Sequence, residues 1–318
     1  MSWGCRGLPR SSSDARFYYS LIPAAIVSVV VLVLLLSILV YYSIPAVEYY
    51  GSTLFTSTKW RPVEGDPSAS SYGLLVPLAG TLVTAVIAVV LATPLSVSAV
   101  FFSEELIPAR FRGVRDVFAS LVDLMAGIPT IVYGLWGVAI LAPFLKDNLY
   151  EALYEALGFI PLFSCKPVTG STVLTAGILL SIMIMPFMYA VMREAYRQIP
   201  STYREAALAL GTTKYEYSKI MFGMLRPALL AGLLIGFGRA AGETVAVALV
   251  IGNTFNMPSC LLAPSYTISS LIANQFANAS LYPYMTNVLL LGGLILLLIG
   301  LASNILGLMY LRRVRYVA

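Results

Sequence analysis

The sequence predicts an all-α integral membrane protein of six transmembrane helices, and three observations carry that prediction. Of its 318 residues 59% are hydrophobic and only 11% charged, where a soluble chain carries about a quarter charged. The apolar residues gather in runs of about 20, the length a helix needs to cross the hydrocarbon. Lysine and arginine collect in alternate links between those runs. There is no histidine and no cysteine cluster, which excludes the common metal sites. No G-x-x-x-x-G-K-S/T loop is present either, so nucleotide hydrolysis would fall to another subunit. The net charge of +5 is spread over short loops and does not point to nucleic acid.

Residues 1–20 read as a polar tail with Arg6, Arg10 and Arg16, followed by a first span, Leu21 to Tyr42. Its length and the absence of a small-residue cleavage site suit a retained span rather than a signal peptide. Ser43 to Ser71 form a polar connection, completing a 21–71 unit of helix and outer loop. The remaining five spans make a core over 72–311. The second covers about Leu74 to Phe102, with a kink or break expected at Pro94. A charged link, Ser103 to Asp116, leads to a third span, Val117 to Leu141, interrupted by Gly127-Ile-Pro129-Thr130.

In the connection that follows, Leu149 to Leu157 reads as a short amphipathic helix at the interface. The fourth span is Thr172 to Met192, and the most charged stretch, 193–227, follows it. There Pro200-Ser201 can start a helix and Gly211 can end it, giving a compact knob. An ordinary solvated loop satisfies the charge pattern equally. The fifth span, Ala228 to Ile251, precedes an uncharged connection, Asn253 to Pro283. The sixth ends near Leu311, before the tail 312–318 with Arg312, Arg313 and Arg315.

Fifteen basic residues fall on the side of the two tails and four on the other, Lys59, Arg61, Lys146 and Lys166. The positive-inside bias places both termini in the cytoplasm of a multi-pass plasma-membrane protein. Cys165 and Cys260 then share the outer side, where a disulfide is open but not readable from sequence; Cys5 lies on the inner side.

Arg239 stands in the middle of the fifth run, roughly 17 Å from either end. A charge there costs at least about 3 kcal/mol to insert. Glu243 follows four residues on, the spacing at which two helical side chains can pair. One reading is a structural ion pair. The other is an oxyanion site, since the guanidinium fork matches a tetrahedral anion bidentately and Glu243 would keep its retention weak. Pro129 and Thr130 either free backbone groups toward a pathway or mark a packing kink.

Several stretches together resemble one known family. Arg204-Glu205-Ala206-Ala207 followed by Gly211 resembles the EAA loop of ABC-transporter permeases. Gly80-Thr81-Leu82 with Pro94-Leu95, Gly127 to Gly134, and Gly238-Arg239-Ala-Ala-Gly-Glu243-Thr244 fall in the order of the phosphate-specific branch, nearer its C-type (PstC-like) subunit. The likeness runs from about Tyr72 to Asn253, and Phe222-Gly223-Met224 departs from the family's Leu-Pro.

The resemblance implies a type I importer (MetI-like) fold, with Arg239, Glu243, Thr244, Pro129 and Thr130 along a phosphate pathway. It implies that Arg204, Glu205, Ala206, Ala207 and Gly211 dock an ATPase. The implied partners are a second permease (PstA-like), two ATP-binding subunits (PstB-like) that hold ATP and magnesium, and an external phosphate-binding protein (PstS-like). A permease for sulfate, molybdate or phosphonate, or a secondary transporter driven by an ion gradient, also remains open.

Overall fold

The first apolar run becomes α1 (Ser12–Tyr50), which continues past Tyr42 and Pro45 and gives way at Gly51, φ +53°. The computed structural model describes residues 12–314; the tail residues Arg6, Arg10 and Arg315, and Cys5, lie outside them. A short α2 (Thr53–Thr56) leads into a two-residue antiparallel hairpin, β1 (Trp60–Arg61) on β2 (Ser71–Tyr72). The Ser43–Ser71 connection is thus half helix and half hairpin. This hairpin end of the molecule is held by aromatic contacts. Trp60 stacks on Phe255 with ring centroids 5.5 Å apart, and the Tyr72 hydroxyl donates to the Pro283 carbonyl at 3.0 Å.

The second run forms α3 (Leu75–Phe101), and the helix passes through Pro94 without a break. Its apolar composition makes it a buried span: Ala85, Ala88 and Ala92 are inaccessible to solvent, and small residues let neighbouring helices approach closely. A π-helical turn (Phe102–Leu106) and a 3₁₀ turn (Ala109–Phe111) then carry the chain to α4 (Arg112–Gly127).

The third span differs from the sequence expectation. Ile128 and Pro129 are extended, so the run Val117–Leu141 is cut in two. α4 keeps Val114, Val117, Leu121 and Leu124 exposed along one face, a helical spacing typical of an amphipathic helix rather than a buried span. The crossing segment starts afresh with α5 (Thr130–Trp136) and continues through α6 (Ala142–Leu145) and α7 (Glu151–Leu157), joined by π-helical turns. The segment Leu149–Leu157 is therefore the end of a 28-residue span, Thr130–Leu157, and not a separate interfacial helix. At 1.5 Å per residue that span is about 42 Å long against roughly 30 Å of hydrocarbon. Its last turns, which hold Lys146, Asp147, Glu151 and Glu155, can stand clear of the lipid.

The fourth run becomes α8 (Val173–Arg197), capped by the Thr172 hydroxyl on the Thr175 N–H. α9 (Ser201–Ala209) and α10 (Lys214–Met224) follow, then α11 (Arg226–Gly242) and α12 (Val245–Val250). α13 (Ile268–Gln275) and α14 (Met285–Val314) complete the chain. Five helices among the described residues are long and apolar enough to cross a membrane, or six when the pair α10–α11, bent by 56°, counts as one.

The core is centred on α3 against α8, with α11 across both, α14 on α11 and α1 on the outside of α14. A second tie closes the hairpin end. Cys165 and Cys260 are joined by a disulfide that spans 95 residues, and beside it Leu261 N–H donates to Leu162 O at 2.8 Å.

Candidate functional site

The fifth run does not continue as one helix, and this decides what its charged residues can do. α11 ends at Gly242 because Glu243 adopts extended backbone, φ −69° and ψ 128°. α12 starts only at Val245. Side chains four apart share a face only while the helix persists. Arg239 and Glu243 therefore do not pair, contrary to the sequence expectation, and no ion pair joins them among the described residues.

Each has a different partner. The Glu243 carboxylate reaches forward to the Ala246 N–H at 3.5 Å, in the manner of an N-terminal cap on α12, and its carbonyl accepts from the Ser269 hydroxyl at 2.7 Å. Thr244 closes the turn, its hydroxyl 3.3 Å from the Gly242 carbonyl. Arg239 lies three residues before the end of α11, roughly 20 Å along the axis from Arg226. Its guanidinium carbon sits 3.7 Å from the ring centroid of Phe187 on α8, a cation–π stack. The residue is otherwise exposed on the surface of this chain. Phe187 had no signal in the sequence, where an aromatic inside an apolar run reads as core.

The second interrupted helix lies beside the first. Pro129, φ −57° and ψ 136°, stands in front of α5, and the Tyr133 hydroxyl bridges the break to the Met125 carbonyl at 2.9 Å. α5 and α12 run side by side in the same direction. Gly134 meets Ala246 and Leu249, and Gly137 meets Val250. A Cβ on Gly134 would fall 3.0 Å from the Ala246 Cα, so this approach requires glycine. That register puts Pro129–Thr130 level with Glu243–Thr244. The start of the third span and the break in the fifth run thus lie at one depth. Pro129 is exposed there, while Thr130, Glu243 and Thr244 are half-buried.

At the opposite end of α11 the charged stretch folds as a knob. α9 starts after Pro200 and gives way at Gly211, whose φ of +74° is the left-handed conformation glycine adopts at low cost. Thr213 and Glu216 form a reciprocal capping box that starts α10. Ala207 is buried against Tyr217 and Met221, whereas Arg204, Glu205 and Ala206 are exposed. Leu210 and Tyr215 stand 84% and 76% exposed at the tip, the most exposed large side chains of the knob.

The base of the knob holds a cluster that the sequence did not announce. Glu104, its side chain 2% exposed, is met by Arg115, by Arg193 Nε at 3.4 Å and by Arg197 Nε at 3.2 Å. One carboxylate thus joins the end of α3, the start of α4 and the end of α8. An acid at the edge of an apolar run, followed by basic links, was its only trace.

Residues 106–316 match the family model described as the binding-protein-dependent transport system inner membrane component. The chain is 49% identical over 294 residues to the probable phosphate transport system permease protein PstC of Methanocaldococcus jannaschii, covering 92% of each. It is 38% identical to PstC of Xylella fastidiosa over 95% of this chain and 93% of that one. With PstC 1 of Mycobacterium tuberculosis the identity is 30%, over 85% and 84%. These relatives are named as transport permease subunits, which agrees with a membrane helix bundle that lacks a nucleotide-binding loop. The chain belongs to the binding-protein-dependent transport system inner membrane components, in the branch of PstC permeases.

Proposed function

We propose that this chain is a permease subunit of an ATP-driven importer of inorganic phosphate. The observation that carries the reading is Arg239, a guanidinium deep in an apolar helix that rests on the face of Phe187 instead of on a carboxylate. A cation held by an aromatic face keeps its N–H donors available in the ring plane's surroundings, and a tetrahedral anion can engage them without displacing a salt bridge. The names of the PstC relatives support phosphate as that anion. The start of the third span at Pro129–Thr130 and the break in the fifth run at Glu243–Thr244 supply irregular backbone at one depth, which is tolerated in a membrane where it lines protein or a water-filled route.

The positive-inside bias supports placing both termini and the knob in the cytoplasm. There α9, with Arg204, Glu205, Ala206, Ala207 and Gly211, is the seat for an ATP-binding subunit (PstB-like) carrying ATP and magnesium. A second permease (PstA-like) would complete the pathway beside the exposed Arg239, and an external binding protein (PstS-like) would deliver phosphate at the hairpin end. Membrane lipid surrounds α1.

The test is uptake of radiolabelled phosphate by the reconstituted complex with Arg239→Lys and Arg239→Ala. Both should reduce uptake at least about tenfold, because a lysine cannot reproduce the bidentate fork. Normal uptake by either variant, in a complex that assembles fully, would refute the reading.

A further inference from the structure

At the base of the knob lies a cavity of about 220 Å³ that no part of the proposed transport route uses. Its wall brings together Arg115 from α4, Arg197 from α8 and Arg204 from α9, with Glu104 the single carboxylate among them. Ser201 and the hydroxyl pair Tyr196 and Tyr217, 3.3 Å apart, complete the polar lining.

The charge does not balance within this wall. Three guanidiniums face one carboxylate. Beside it Glu105 faces Arg204 and hydrogen-bonds Tyr217, and Arg193 shares Glu104 and lies 3.9 Å from Asp123, whose side chain is 59% exposed, so four guanidiniums meet three carboxylates and one positive charge is left over. Donors are in excess as well. An arginine offers five N–H groups, yet among the described residues Arg197 gives only its Nε to Glu104, and Arg204 makes no hydrogen bond, its guanidinium lying 5.5 Å over the Tyr217 ring. Glu104 already accepts from three guanidiniums and has about one acceptor site left, too few for the remaining donors. At the same wall α9 begins without a capping side chain; Tyr203 N–H donates to the Pro200 carbonyl at 3.2 Å, and the Ser201 and Thr202 N–H groups add to the unmet donors among the described residues.

We infer that this cavity is a binding site for one phosphate group, held by Arg115, Arg197 and Arg204 and by the Ser201 hydroxyl. The chemistry favours that class. Convergent guanidiniums and hydroxyls match a tetrahedral oxyanion in charge and geometry, and the volume exceeds several times the roughly 30 Å³ share of a water molecule. Two sources present this group at the basic end of a membrane protein: free inorganic phosphate, and the headgroup of an anionic phospholipid. In either case the ligand bridges α9 to α4 and α8 and so fixes the knob against the membrane body. The inference does not depend on whether Arg239 passes phosphate.

The test uses the full chain carrying Arg239→Ala, which removes the proposed transport contact, in nanodiscs of neutral lipid with radiolabelled inorganic phosphate as probe. A parallel preparation contains phosphatidylglycerol and is read by native mass spectrometry for retained lipid. Arg197→Gln removes donors, and Ser201→Glu puts a carboxylate in the cavity while leaving the Glu104 cluster untouched. Saturable phosphate binding that weakens about tenfold or more in both variants identifies free phosphate as the ligand. Retention of phosphatidylglycerol that both variants abolish, without phosphate binding, identifies the lipid. Binding of neither, or binding that Ser201→Glu leaves unchanged in a normally folded chain, overturns the inference.

Discussion

Replacing Phe187 by leucine takes the aromatic face away from Arg239 while leaving an apolar side chain in the core. The guanidinium carbon is 3.7 Å from the ring centroid, well inside the ~6 Å limit for a cation–π contact. Phe187 is half-buried, so the interaction falls between the exposed case and the fully desolvated one, at about 1–2 kcal/mol. The Arg239–Glu243 pair makes no contact, and groups that share no partner add to within about 0.5 kcal/mol. Two double-mutant cycles therefore separate the alternatives. Phe187→Leu with Arg239→Met should show a coupling of about 1–2 kcal/mol, and Glu243→Gln with Arg239→Met almost none. Denaturation of the purified chain in mixed micelles supplies the four stabilities of each cycle. A coupling above about 1 kcal/mol between residues 239 and 243, with none between 187 and 239, would mean that α11 continues through Glu243 and that the guanidinium rests on the carboxylate.

Three further outcomes follow from the same structure. Glu104→Ala leaves three guanidiniums without their shared acceptor; because Arg115 and Arg197 are 29% and 39% exposed, the loss should sit near the low end of the buried-pair range, about 3 kcal/mol, measured by the same denaturation. Maleimide should label Cys165 and Cys260 only after reduction, and the double serine variant should lose up to about 4–5 kcal/mol for a closed loop of 95 residues; labelling without reductant would refute the bridge. Burial first, and then the charge of Glu105, push the Tyr217 phenol from 10.0 to about 12. The folded state holds that proton the more tightly, so its stabilisation is complete below pH 10.0 and is lost as the pH rises toward about 12. Phenolate absorbance compared between the parent and Tyr217→Phe reads this directly, and a difference spectrum titrating at the ordinary tyrosine value would refute it.

Local chemistry was legible where a residue type has one structural use. Gly211 ends α9 at positive φ, and Pro200 stands before its first turn, as the sequence predicts. Mean hydropathy failed where period mattered. It merged α4 with α5 because both are apolar, although Val114, Val117, Leu121 and Leu124 repeat on one face and so mark a separate amphipathic helix. The i,i+4 rule failed at Glu243 because it presupposes an unbroken helix, and nothing local to Gly242-Glu243-Thr244 forces the break. The tertiary contact from Ser269, 26 residues away, helps to hold it. Glu104 and Phe187 were invisible for a similar reason. Their partners are 11 to 93 residues distant for Glu104, and for Phe187 lie on the next span.

The placement of these partners limits how force can travel through the chain. α8 leads into the knob and carries Phe187, Arg193 and Arg197; α11 leads out of it and carries Arg239. The Phe187–Arg239 stack is therefore a contact between the two helices that flank the knob. Glu104 binds α8 to α3 and α4 at the basic end, and α10 turns into α11 through a 56° bend rather than through a rigid continuation. A displacement of α9 and α10 then meets unequal resistance. α8 is clamped by three guanidiniums on one carboxylate, while α11 is attached through the bend and a face rich in glycine. The two helices must shear, and the stack is where that shear changes a polar contact at membrane depth. Loosening the clamp with Glu104→Gln should consequently reduce the shear at Phe187. In a double cycle on uptake, Phe187→Leu should matter less in the Glu104→Gln background than in the parent, whereas independent effects would place the two contacts on separate mechanical routes.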